Sequence, residues 1–200
     1  VGLYHYARIL QPFDGAAIPI PVVCITDRDV VPDEADYISR PANGRKRFIS
    51  DYSAEELTAL VQAKQDRAQG GSTLVCVSDE WTLEFDLARY GCAELMHNAI
   101  HLAKKADSRG ERLTEEDEQA TIAEAKKLWA ALAGAGRSEA ELASIIYQPL
   151  AEGDASKAIA AQYAAHLVLT GEYGVGDDLY LRLPPYLQRA LHHLTGKVVK

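Results

Sequence analysis

Cysteine is scarce in this chain: three in 200 residues, an odd number with no Cys-x-x-Cys pair. Cys24 and Cys76 lie inside Val/Ile/Leu-rich runs, where a free cysteine behaves as a small buried hydrophobe, so a reduced, cytoplasmic protein is expected. Long apolar runs are also missing. None approaches the ~20 residues of a membrane span, and no membrane role is expected. Positive charge is short: 21 Lys+Arg stand against 29 Asp+Glu, a net charge of −8. That excludes a simple basic glove for nucleic acid, because something other than net charge would have to hold the phosphates. There is no initiator Met and no targeting pattern in Val1-Gly2-Leu3, so the chain reads as a piece of something longer. What is present is ordinary: 48% hydrophobic residues, enough for a core, and a length that suggests about 1.3 domains, hence one domain with a subdomain.

Leu3 to Leu10 is expected to form a short helix, ended by Pro12 and the Asp14-Gly15 turn. Val22-Val-Cys-Ile-Thr26 and Ser72-Thr-Leu-Val-Cys-Val77 are continuous apolar runs without alternation, the pattern of strands buried on both faces of a parallel sheet. Between them Ser53-Ala-Glu-Glu56 is a capping box, opening a helix to about Gln69 that Gly70-Gly71 closes. Strand, helix, strand in this order is a crossover unit. From Glu94 the composition turns to Ala, Leu, Glu and Lys, with helices expected at 94–105, 115–133, 139–148, 156–170 and 185–195.

The first candidate chemistry is Asp27-Arg28-Asp29, at the carboxyl end of the first strand. Ligands of open α/β sheets bind outside strand carboxyl ends, and two carboxylates at this spacing suit a hard cation such as Mg²⁺. Thr82-Leu83-Glu84 follows the second strand. If the strands are neighbours, these side chains leave the same sheet edge and complete one cation site or build a second; otherwise Thr82 caps a helix whose first turn favours Glu84. Lys157, at the start of a helix, opposes the helix dipole and suggests a nearby phosphate or carboxylate, a solvated surface lysine being the equal alternative. Arg45-Lys46-Arg47, with Phe48, are candidate contacts to a DNA backbone, although three such charges more often mark a solvated loop. Other patterns carry less: His97-Asn-Ala-Ile-His101 has zinc-pair spacing but no third ligand, Gly171-x-x-Gly174-x-Gly176 lacks the Gly-Lys-Ser/Thr of a phosphate loop, and His192-His193 reads as surface.

Taken together, Pro21-Val-Val-Cys-Ile-Thr-Asp27-Arg-Asp29, Trp81-Thr82-Leu-Glu84-Phe-Asp-Leu87 and Lys157-Ala-Ile-Ala-Ala-Gln162 resemble the carboxyl-terminal Toprim region of OLD-family (overcoming lysogenization defect) nucleases, and Val1 to Arg8 is similar to the segment before the family's acidic strand. The resemblance runs from Val1 to about Leu167. It implies an α/β, Toprim-type parallel sheet flanked by helices, with a helical subdomain. The family's first strand, with its glutamate, would precede Val1. It also divides the chain into a Toprim-like portion at 1–95, a helical subdomain at 96–150 and a return to the core at 151–200. The implied function is metal-dependent DNA nicking by a two-metal mechanism with Mg²⁺ or Mn²⁺. Asp27, Asp29 and Glu84 would be ligands with Thr82 beside them, and Lys157 would stabilise charge at the scissile phosphate. DNA, an amino-terminal ATPase domain, a helicase and a second copy are the implied partners.

Two other readings compete. Asp27-Arg-Asp29 also resembles the nucleophile motif of haloacid-dehalogenase-like phosphohydrolases, with Ser78, Lys157 and Asp177-Asp178 as further stations. Alternatively, the Ala-rich helices form a non-catalytic interaction module. A nuclease needs Glu84 to converge on Asp27, a phosphatase needs Asp177 or Asp178 there, and an interaction module needs neither.

Overall fold

In the computed structural model, which describes residues 6–7, 9–10 and 20–196, both apolar runs are strands. β1 (Val22–Thr26) and β2 (Thr73–Val77) pair in parallel, from Val22 opposite Thr73 to Thr26 opposite Val77. A parallel pair needs a crossover connection, and α1 (Ala54–Asp66) lies between the strands in the chain. It begins as predicted. Ser53 Oγ accepts the Glu56 N–H, and the Glu56 carboxylate accepts the Ser53 N–H at 2.9 Å. The fold is α/β and mostly helical, and the sheet has two strands among the described residues. One expectation needs correction: β1 is not buried on both faces. Cys24 is buried, but Ile25 is 39% exposed and Val22 and Val23 are half-buried. β2, with Val75, Cys76 and Val77 all buried, is the covered strand. The helix expected at 3–10 and the turn after it lie largely outside the described residues, although Ala7 is buried with Cys24, Ala68 and Val75.

The chain separates into two compact units, one of Val1–Asp33, Ser39–Leu83 and Pro184–Lys200, the other of Glu34–Ile38 and Glu84–Leu183. The helix over Pro185–Thr195 (α8 in chain order) closes the first unit by packing on both strands. Its Tyr186 and Ala190 bury against Cys76, with Val23, Leu74, Leu83 and Leu187 around them. His193 is half-buried, with its Nε2 2.9 Å from the Ser72 carbonyl. His192 is exposed, as expected.

After α2 (Leu83–Tyr90), the second unit is built on α3 (Ala93–Arg109), nine of whose residues are buried. Packed on it are α4 (Glu115–Ala133), α5 (Glu139–Glu152) and α6 (Lys157–Leu169). α7 (Asp177–Arg182) follows. α3 continues past the expected Lys105 because Ala106 is still buried, and it ends at Gly110, whose φ of 69° a side chain would resist. α5 runs through Pro149 rather than stopping at Gln148. Proline removes an N–H, yet buried Leu150 holds the next turn, and the Pro149 carbonyl accepts the Asp154 N–H at 2.9 Å. Tyr37 belongs to this unit: its hydroxyl donates to the Ser144 carbonyl at 3.0 Å, and burial pushes its phenol up to about 12. Among the described residues, no helix is long and apolar enough to cross a membrane.

Candidate functional site

The loops after the two strands are laced together within the first unit. The Ser78 N–H donates to the Thr26 carbonyl at 2.9 Å, and the Arg28 N–H donates to Ser78 Oγ at 2.7 Å. Ser78 Oγ in turn donates to the Trp81 carbonyl at 2.8 Å. Ser78 is thus a brace for the loops, which weakens its claim as a phosphatase station. The bracing brings Asp27 to the amino end of α2, where its Oδ1 accepts the Leu83 N–H at 3.1 Å. An amide at a helix start carries partial positive charge, so the contact anchors the Asp27 side chain at the amino end of α2.

Asp29 has a φ of 63°, unlike any other non-glycine among the described residues. A short polar side chain tolerates this left-handed conformation. Its carboxylate forms an ion pair with Lys64, from the last turn of α1, and Lys64 Nζ also donates to the Asp27 carbonyl at 2.6 Å. Two oxygen atoms of the acidic loop therefore already face one cation. In the second unit Glu84 and Lys157 come together, with Lys157 Nζ 3.4 Å from Glu84 Oε2 and 5.1 Å from the centroid of the Tyr147 ring. A carboxylate and an aromatic face offset the dipole that opposes a lysine at the first position of α6. Thr82, buried, precedes α2 at its N-cap position.

Arg45, Lys46 and Arg47 stand on a pinned loop. The Val31 N–H donates to the Arg47 carbonyl and the Ile49 N–H to the Val31 carbonyl, both at 2.9 Å. These three residues line a cleft of about 610 Å³ together with Arg28, Lys64 and Arg67. Sequence reasoning missed Lys64 and Arg67. Their i, i+3 spacing puts them on one face of α1, a signal that was available. It missed Asp79 as well, a half-buried carboxyl after β2 that burial pushes up and Arg189, 3.9 Å away, pulls down.

The histidine pair is structural. The His97 and His101 rings lie with centroids 4.4 Å apart, tilted by 43°, and His97 Nδ1 lies 3.1 Å from Asn98 Oδ1. Asp177 and Asp178 open α7 with a loop before them rather than a strand, and Asp178 pairs with Arg182 at 3.2 Å. No cluster of three or more His, Cys, Asp or Glu side chains suited to a metal ion occurs among the described residues. The two carboxylates and the Asp27 carbonyl are nonetheless hard oxygen donors, and Mg²⁺ is commonly held by one or two carboxylates plus waters. The donor chemistry of this loop fits one such ion once Lys64 moves aside. No protein-family model, curated protein or solved structure matches the chain.

Proposed function

We propose that this chain is the Toprim-type portion of a metal-dependent DNA endonuclease, working with Mg²⁺ or Mn²⁺. The observation that supports the reading most is the hydrogen bond from the Leu83 N–H to Asp27. It joins the Asp27-x-Asp29 motif to the Trp-Thr-Leu-Glu segment, and that combination is what set the sequence reading apart from any other acidic loop.

In this reading Asp27 and Asp29 hold the ion with Thr82 beside them, and the family resemblance alone adds Glu84 as a ligand. A bound ion would polarise a phosphoryl oxygen and lower the pKa of an attacking water. The chain's own groups do the rest. The Leu83 amide fixes the Asp27 side chain, and Lys64 neutralises Asp29 until an ion replaces it. Lys157 supplies positive charge to the scissile phosphate, with Glu84 and Tyr147 orienting its ammonium. Arg45, Lys46 and Arg47 contact the DNA backbone. An ATPase domain elsewhere in a longer protein, a helicase, a second copy and a cytoplasmic setting belong to the same proposal.

The test is a paired assay with Mg²⁺ or Mn²⁺ on supercoiled plasmid and on a generic phosphomonoester, beside Asp27→Ala. Plasmid nicking that Asp27→Ala abolishes, with the monoester untouched, is the expected result. Monoester turnover without nicking would move the assignment to a phosphohydrolase, and inactivity on both would leave an interaction module.

A further inference from the structure

The first unit holds a concave surface whose charge runs against that of the chain. The whole sequence carries −8, yet the cleft of about 610 Å³ is lined by Arg28, Arg45, Lys46, Arg47, Lys64 and Arg67, with Asp29 as its one carboxylate. Lys64, Lys46 and Arg28 pair with Asp29, Glu56 and Glu80, and the remaining arginines leave the hollow with an excess of positive charge in an acidic chain. The volume falls within the roughly 300–1,000 Å³ of small-molecule sites. The hollow is thus large enough for one anionic group of nucleotide size.

Several of these cations are held in place before any ligand arrives. Arg47 Nη1 donates to the Ser39 carbonyl at 3.1 Å, and Lys46 pairs with Glu56 at 2.5 Å beside the Tyr52 ring. Arg28 lies 3.6 Å from Glu80. Arg45 follows the Pro41–Gly44 turn, where its N–H donates to Asn43 Oδ1 at 3.2 Å. Arg40 bridges Asp33 and Asp51 at 3.1 and 2.9 Å beneath the loop. Side chains ordered in advance lose little entropy on binding, and planar guanidinium groups match phosphate oxygens two at a time.

We propose that this cleft binds the terminal phosphate of a nucleotide without a metal ion. The nucleotide is either free in solution or the 5′ end of a single strand. The inference goes beyond the nicking reaction proposed above: it needs neither a divalent ion nor turnover, and it rests on cations of which only three were evident in the sequence.

The test measures binding in EDTA, which silences metal-dependent chemistry, so failure of the nuclease reading leaves it untouched. Four probes would be titrated: inorganic phosphate, adenosine 5′-diphosphate, and a short fluorescent single strand carrying either a 5′-phosphate or a 5′-hydroxyl. The phosphorylated probes should bind with Kd below about 1 mM and weaken as salt rises. Arg45→Gln and Arg47→Gln should each weaken them by roughly tenfold, while the exposed Arg137→Gln in the second unit changes nothing. Arg45 is exposed, so its replacement does not disturb packing even if loss of the Arg47–Ser39 contact loosens the loop. A 5′-phosphorylated strand that binds tenfold better than the diphosphate identifies a strand end, and the reverse or parity identifies a free nucleotide. Equal affinity for the 5′-phosphate and 5′-hydroxyl strands, no binding below about 1 mM, or indifference to Arg45→Gln would each overturn the proposal.

Discussion

Asp29 combines a left-handed backbone with an ion pair to Lys64, and the two features can be separated. Asparagine tolerates the same backbone region, so Asp29→Asn keeps the loop and removes the charge. The pair is solvent-exposed on the Asp29 side, whose side chain is 71% accessible, and exposed pairs contribute about 0–1 kcal/mol. The melting temperature of Asp29→Asn should therefore stay within about 4 °C of the parent, while Mn²⁺ affinity and plasmid nicking fall by at least about tenfold. A variant that nicks like the parent would remove Asp29 from the ligand set. Asp27 and Asp29 were legible in the sequence because acids directly after an apolar strand are conspicuous. Lys64 was not. A lysine in the last turn of a helix is what the dipole favours in any case, and nothing local says that it folds back over a loop 35 residues earlier.

At the scale of elements, α3 and α4 meet around the His97–His101 pair, with Trp129 of α4 5.7 Å from His97. Burial lowers both imidazoles below their ordinary 6.5, and His101 is lowered further by His97 and Lys104; Glu94 and Glu124 act in the opposite direction. A folded pKa below the unfolded one means that the pair's contribution to stability is present above pH 6.5 and is lost as pH falls through the folded values. Asp79, raised by burial, works the other way, but its window lies lower, near the carboxylate range. Thermal melts should thus show a drop in melting temperature between pH 7 and pH 5, and the drop should shrink in His97→Gln/His101→Gln. A parent whose melting temperature is flat across that interval would contradict the assignment. Most element starts could be read in advance, because Ser53/Glu56 and Ser138/Glu141 form capping boxes through short-range chemistry alone. The end of α5 could not. Proline at position 149 predicts a stop, and only the burial of Leu150 in the assembled unit explains why the helix continues.

On the scale of the whole molecule, the first unit is assembled from three separated stretches of chain, and Tyr186, wholly buried, ties the third to β2. Replacing a buried aromatic by alanine typically costs about 3–5 kcal/mol. Tyr186→Ala should accordingly lower hydrogen-exchange protection of the β1 and β2 amides far more than that of the α3 amides, which belong to the other unit. Equal loss in both would mean that the two unfold as one. Local patterns do not reveal this arrangement: the helix at 185–195 was anticipated, but its place beside strands more than a hundred positions earlier was not. The order of synthesis gives it a further meaning. β2 leaves the ribosome well before the helix that covers it, and Glu84–Leu183 must be made in between, roughly 5–20 s at ordinary elongation rates. For that interval Cys76 and its apolar neighbours lack their cover while the helical unit is still being made, so the nascent chain, rather than the finished protein, is the form most in need of a chaperone.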